Sequence, residues 1–400
     1  MTTPRRLVVG VRAEGFLDWT GGTEFLCNVM RGLRAAVSDI DLRLIVPDRG
    51  PRTSFMGVVN RARAWLRGND ITYRNTNLND ALTVATQVHH IDLGTASLVD
   101  AATRIGIDIL LPSVAPLPTA LSFPWVGYIF DFQHRQLPHF FTAKEFRFRE
   151  HFFSQIMRDA NSVIVNSRDT AKIAADLYPA YASKLFPLPF CAIPNPEWLA
   201  INNCAPSRGL NTPYFIISNR FWLHKDHETA FRALAMLPAR HRDVAIVCTG
   251  ETTDYRSREH FPRLMSLVES LGLTNRVLVV GLIPKAQQIA LMKGSVALLQ
   301  PTLCEGGPGG GATYDAISLG VPVILSNIPI NFEISGERET SFFKARDPAS
   351  LASLMTSALD SPLNRDPPEA LLARGRDRWR MYTAALRDLI YHTIALRGDS

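Results

Sequence analysis

Short runs of aliphatic and β-branched residues, each closed by turn residues, recur through both halves of the sequence and restrict the folds open to it. In the first half they occupy 7–10, 42–46, 107–111, 126–130 and 162–166; in the second, 214–217, 244–249, 276–280, 295–300 and 322–326. Apolar runs without polar alternation read as parallel strands covered on both faces. Between several of them lie stretches with helical spacing, such as 228–237, where Ala230, Leu234 and Leu237 share one face, and 261–271. Strand alternating with helix predicts doubly wound α/β sheets.

The rhythm breaks over 185–213, which holds Pro187, Pro189, Pro194, Pro196, Pro206 and Pro213 and few periodic apolar residues. Such a stretch reads as a connection between domains. Two α/β domains, 1–195 and 206–375, should then face each other across a cleft, with a last helical stretch at 376–400 returning onto the first. A chain of 400 residues suits two domains, and 46% hydrophobic with 20% charged residues is the composition of a folded protein. The net charge of +6 over this length is mild and argues against nucleic acid as the main partner. Cys27, Cys191, Cys204, Cys248 and Cys304 are widely spaced, odd in number and without a C-x-x-C pair, so neither a disulfide framework nor a zinc ribbon is indicated. The apolar run 7–11 is too short for a signal peptide, and 105–130 is interrupted by Asp108, Pro112, Pro116, Pro118 and Pro124. The expected setting is the cytoplasm, free or peripheral at the inner face of a membrane.

The segment 299–324 carries the strongest chemical signal. A strand ends at Gln300, a loop with Gly306, Gly307, Gly309, Gly310 and Gly311 follows, and a helix should run over 312–319 until Gly320 stops it. Amides freed by glycine at a helix N-terminus suit an anion such as a diphosphate. Glu305 and Asp315 flank that site; two carboxylates repel phosphate unless they serve neutral hydroxyls, and sugar hydroxyls fit. The bland alternative is a tight turn with a favourable acid early in the helix. A dinucleotide fingerprint, Gly307-x-Gly309-x-x-Ala312 with Glu333 downstream, can also be drawn, but it comes late in the chain and Pro308 removes an amide the turn would use.

Asn219, Arg220 and Lys225 follow the first strand of the second half. Two cations beside a glycine-rich anion site can neutralise a departing diphosphate, work done by Mg²⁺ in other enzymes; alone, they could equally be a solvated pair. His224-x-x-His227 lacks a third metal ligand. Gly21 and Gly22, between the first strand and an amphipathic helix, allow backbone to approach a ligand from the opposite wall. Asp131 and His134 follow a first-half strand, where acid–base or acceptor-binding residues belong, or else a turn cap and a packed ring. Asp39 and Asp41 form a lone D-x-D without supporting acids. No Walker A lysine, G-x-S-x-G elbow or H-E-x-x-H is present.

Together these residues resemble the GT-B glycosyltransferases of the family 4 / group 1 type. Gly21-Gly22-Thr23-Glu24 resembles that family's glycine pair, 162–167 its strand ending in serine, Arg220 with Lys225 its Arg-x4-Lys, Gly250 and Gly281-Leu282-Ile283 its later strand ends, and 305–322 its E-x7-E and G-x-P region. The resemblance implies two Rossmann-like domains and a nucleoside diphosphate sugar as co-substrate, with no other cofactor and no metal. It makes Arg220 and Lys225 the diphosphate ligands, Glu305 the sugar contact and Asp315 the ribose contact. Gly21, Gly22, Asn219, Gly250, Ile283, Gly306, Gly309, Gly310 and Gly311 complete the donor site. The chain departs in two places. The second acid is Asp315, two residues farther along than E-x7-E, and Phe130 precedes Asp131 where many relatives have histidine. Either His134 substitutes for that histidine, or the donor phosphate itself takes the acceptor proton on the same face of the sugar, giving retention.

The expected function is therefore transfer of a sugar to a hydroxyl acceptor, a glycan or lipid-linked glycan, as in polysaccharide or surface-glycan assembly. A non-catalytic sugar-nucleotide-binding protein and an NAD(P)-dependent oxidoreductase are the alternatives. Two basic-aromatic stretches, Arg61, Arg63, Trp65 and Arg67, and Lys144, Phe146, Arg147, Phe148 and Arg149, could rest on an anionic bilayer or be solvated helix faces.

Overall fold

The computed structural model describes residues 6–17, 20–47, 82–92, 95–119, 121–201 and 212–398. Its strands form two sheets in which every pairing is parallel. The first contains β1 (Leu7–Arg12), β2 (Ile40–Pro47), β3 (Gln87–Ile91), β4 (Ile109–Ser113), β5 (Trp125–Ile129), β6 (Ser162–Val165) and β7 (Leu185–Pro187), in the order β3-β2-β1-β4-β5-β6-β7. The second contains β8 (Tyr214–Ser218), β9 (Ala245–Thr249), β10 (Val277–Gly281), β11 (Leu298–Gln300), β12 (Val323–Ser326) and β13 (Thr340–Phe343), in the order β10-β9-β8-β11-β12-β13. Beyond the strands anticipated from the sequence, β3, β7 and β13 each close an edge of their sheet.

Alternation of side chains buries both faces of each sheet. In β4, Ile109 and Leu111 enter one apolar cluster and Leu110 the other; in β8, Phe215 and Ile217 face one and Tyr214 and Ile216 the other. Local signals fix the covering helices. Thr142 and Glu145 form a capping box for Ala143–Asp159, Ser167 caps Arg168–Leu177, and Asp347 caps Pro348–Asp360. Among the described residues no helix is long and apolar enough to cross a membrane.

Two features position the functional site. In each sheet the winding reverses beside the first strand, between β1 and β4 and between β8 and β11, and loops leaving the carboxyl ends at such a point diverge to open a crevice. The loop after β8 is thereby set against the loop after β11. The second feature is the helix Pro368–Gly398, which begins within the span expected for the second domain and ends in the first. Arg374 pairs with Glu339 and Arg378 with Glu337, whereas Tyr382, Leu386, Leu389 and Ile390 complete a first-domain core cluster. Burying each of those leucines contributes about 2 kcal/mol. Gly32 lets the helix Thr20–Ala36 come close: a Cβ there would lie 2.4 Å from Leu386 Cδ1.

Candidate active site

Chain entering the crevice from β8 passes Asn219 and Arg220, makes a 3₁₀ turn at Leu223–Lys225 and starts the helix His227–Ala235. Chain from β11 runs through 301–310 into the helix Gly311–Ser318. Because the two strands are neighbours, Lys225 Nζ reaches Glu305 Oε1 at 2.5 Å, with side chains only 11% and 9% exposed. The loops are also joined by the Leu303 amide, which donates to the His224 carbonyl at 2.8 Å. Asn219 Nδ2 donates to Gln300 Oε1, and Gln300 Nε2 donates to the Gly309 carbonyl at 2.6 Å.

Glycine is required in this loop by geometry. Gly309 has φ +60° and donates its amide to Asn331 Oδ1 at 2.7 Å; Gly310 has φ +71°, and a Cβ there would lie 3.2 Å from Glu305 Oε2. At Gly311 a Cβ would meet nothing within 4 Å, so the start of the helix faces open space. Gly306 crosses to the first domain, where a Cβ would sit 1.8 Å from the Phe130 carbonyl oxygen. Thr170 Oγ1 donates to the Gly306 carbonyl at 3.0 Å, and Cys304 Sγ to Gln136 Oε1 at 2.7 Å. Burial pushes the Cys304 thiol well above its ordinary range.

Of the two cations read from the sequence, the structure brings Lys225 and not Arg220 into contact with Glu305. Arg220 is 43% exposed, 3.8 Å from Glu251 and 5.2 Å from the Trp222 ring centroid. Gly250, at φ +121°, packs beneath Asn219: a Cβ there would lie 2.2 Å from the Asn219 carbonyl oxygen. Asp131 borders Gly306 and accepts from the Gln133 amide at 3.0 Å and from Arg149 Nη1 at 3.1 Å. His134 is not brought to the site. It has no exposed surface, its Nε2 is 2.7 Å from Glu150 Oε1, and Phe141, Phe146 and Phe153 surround the ring. Burial lowers its pKa, and its place is the packed core that the sequence left as the alternative.

Gly21 and Gly22 do not form a loop; they lie in the first turn of the helix Thr20–Ala36, and Glu24 in the following turn faces the second domain. Glu333, the acid of the dinucleotide fingerprint, is engaged elsewhere. It accepts from the amides of Arg168 and Asp169 at 3.1 and 2.7 Å, satisfying the N-terminus of a first-domain helix. Ile283 is half-buried against a second-domain cluster. His224 accepts from Arg256 at 3.2 Å, and His227 stacks on Phe221 at 4.2 Å, so the pair points to packing. Arg61, Arg63, Trp65, Arg67 and Cys204 lie outside the described residues.

Asp315 meets a residue the sequence reading passed over. Lys285 Nζ donates to Asp315 Oδ2 at 2.5 Å and stands 3.1 Å from Glu24 Oε1, joining the two domains. Burial alone lowers a lysine, yet the two flanking carboxylates hold this ammonium above its ordinary range. One signal was available: a lysine opens the helix Lys285–Gly294 directly after Pro284, where the helix dipole disfavours a cation.

Residues 206–378 match the family described as glycosyl transferases group 1. The second domain is a group 1 glycosyltransferase domain. The whole chain shares the GT-B fold with solved structures at low identity. HepE of Anabaena, in complex with UDP and glucose, is 14% identical with a TM-score of 0.57, covering 98% of this chain and 99% of that one. A glycosyltransferase from Rickettsia africae is 13% identical with a TM-score of 0.61 over 100% of both chains. Sucrose-phosphate synthase of Thermosynechococcus elongatus is 16% identical with a TM-score of 0.61 over 98% of both. No curated protein matches the sequence. In this chain the interdomain crevice holds an ammonium beside a glycine-rich loop and a helix start without a side-chain cap. Groups of this kind can accept an oxyanion; in the structure the ammonium is paired with Glu305.

Proposed function

We propose that this glycosyltransferase moves a sugar from a nucleoside diphosphate donor to a hydroxyl acceptor, with retention and without a metal ion. The observation that carries the reading is the 2.5 Å contact of Lys225 with Glu305 at the mouth of the 306–311 loop. A donor diphosphate entering there takes the ammonium and the loop amides, and Arg220, free to swing from its exposed position, adds a second cation. Charge developing on the leaving diphosphate is then met by fixed positive groups. Released from Lys225, Glu305 accepts hydroxyl donors of the sugar, and Asp315 those of the ribose. With His134 in the core, the proton of the acceptor goes to the departing diphosphate on the same face of the sugar, which retains the anomeric configuration; Asp131, beside Gly306, orients the acceptor.

HepE is solved with UDP-glucose, and WaaB, a lipopolysaccharide outer core galactosyltransferase, shares the fold at 13% identity and a TM-score of 0.58. The first fits a nucleotide-sugar donor and the second an acceptor in surface-glycan assembly. Exposed Lys144, Arg147 and Phe148 on the helix Ala143–Asp159 suit peripheral contact with an anionic bilayer bearing such an acceptor. The test is transfer in the presence of EDTA, with the anomeric configuration of the product read by NMR. Undiminished rate and a retained anomer are expected. A strict need for added Mg²⁺ or Mn²⁺, or an inverted product, refutes the mechanism, and donor binding without product from any acceptor leaves a binding protein.

A further inference from the structure

Beside the crevice, on the flank of the interdomain connection, lies a cavity of about 530 Å³ lined by both domains. Its chemistry is divided. Phe190, Trp198, Tyr314 and Trp379 supply aromatic wall, while Glu24, Lys285 and Asp315 supply a charged cluster at the same cavity. Lys285 is within 3.1 Å of one carboxylate from each domain and 5.1 Å from the Trp198 ring centroid. Two acids around one ammonium leave that cluster with a net negative charge, while Arg31 and Arg376 also line the cavity. The carboxylates of the cluster favour neutral hydroxyl donors, because a carboxylate accepts several hydrogen bonds at once. A second observation points to a missing partner. Tyr314 Oη is buried at this cavity and has no hydrogen-bond partner among the described residues, and a buried hydroxyl without one is costly.

Flat aromatic walls beside paired hydroxyl acceptors fit a nucleoside. Resting on the donor proposed above, we infer that Lys285 and Glu24 determine specificity for its ribose. Lys285 is a positioning residue that holds Asp315 and Glu24, one acid from each domain, around a single ammonium. Ribose is then read from both walls of the crevice at once. Without the ammonium the two carboxylates repel each other and their approach is lost, although Asp315 itself remains.

The test uses the full-length protein and calorimetric binding of UDP, GDP and ADP, each against its 2′-deoxy counterpart. For the base that binds, the ribonucleotide should bind about 10–100-fold more tightly than the deoxynucleotide, the effect of one hydrogen bond to a charged group. Lys285→Met should reduce that ratio to below about threefold and Lys285→Arg should keep most of it. Glu24→Gln, which leaves the second-domain pair intact, should lose part of it. In steady-state transfer, Lys285→Met should raise the donor KM with little change in kcat, since contact at the ribose is made equally in ground and transition states. An undiminished ratio in Lys285→Met, or no discrimination by the wild type, overturns the inference and leaves the donor reading standing. A wild type that binds none of the nucleotides overturns both.

Discussion

Replacing Lys225 with alanine separates two quantities that the site ties together, turnover and stability. The ammonium and Glu305 Oε1 are 2.5 Å apart, and both side chains are about nine-tenths buried. Removing one member of a buried ion pair strands the other charge, which costs about 3–5 kcal/mol. At about 3 kcal/mol, a domain of this size loses about 6–12 °C in Tm. Turnover falls as well, because one donor aimed at developing negative charge is worth about 10²–10³ in kcat. Arg220 is the natural control. It is 43% exposed and 3.8 Å from Glu251, a surface pairing worth under about 1 kcal/mol. Arg220→Ala should therefore lower kcat by a similar factor while shifting Tm by no more than about 4 °C. The double variant Lys225→Met/Glu305→Gln removes both buried charges and should recover most of the lost Tm with none of the lost turnover. Differential scanning calorimetry and release of nucleoside diphosphate read the two quantities. Equal Tm losses in the two single variants, or a wild-type kcat in Lys225→Ala, would show that the buried pair is not the diphosphate ligand in waiting.

Two further outcomes are expected. His227 is buried without a partner for either ring nitrogen among the described residues, and burial pulls its pKa down to about 3. The folded protein keeps it neutral while the unfolded chain takes up a proton below about pH 6.5, so stability falls as pH drops from there toward 3; between pH 7 and 5 the loss is about 2 kcal/mol. His227→Phe, which keeps a ring on Phe221, should flatten that slope in a Tm–pH series, and an unchanged slope would contradict it. Gly306→Ala places a methyl 1.8 Å from the Phe130 carbonyl oxygen. It should push the domains apart, visible by small-angle scattering, and lower kcat/KM about 10²-fold through misplacement of the site. Wild-type values in both measurements would count against the close approach.

Of the ten strands legible in the sequence, most are covered on both faces and so become unbroken apolar runs, as in β4, β5 and β6; β10, an edge, was legible because its sequence VLVVG is apolar all the same. The strands that escaped, β3, β7 and β13, are sheet edges. An edge strand is only partly covered, so QVHHI at Gln87–Ile91 and TSFF at Thr340–Phe343 carry polar residues that break the pattern, and LFP at Leu185–Pro187 is too short to form one. At the site, the positions of Lys225 and Glu305 at two strand ends could be read, but their contact depends on β8 and β11 being neighbours, a property of sheet order that no local pattern encodes. His134 misled because a histidine soon after a strand end looks the same whether its ring enters the crevice or turns into a nest of phenylalanines. Lys285 was missed because its partners are distant in sequence, and the only local trace was a cation at the wrong end of a helix.

The helix Pro368–Gly398 bears on the order in which the protein is made. Tyr382, Leu386, Leu389 and Ile390 belong to the core of the first domain, yet they leave the ribosome after the whole of the second. The domain translated earliest is thus completed last, and its apolar seam stays open throughout synthesis of the other. Shortening the chain before residue 382 would damage the half of the molecule farthest from the cut in sequence.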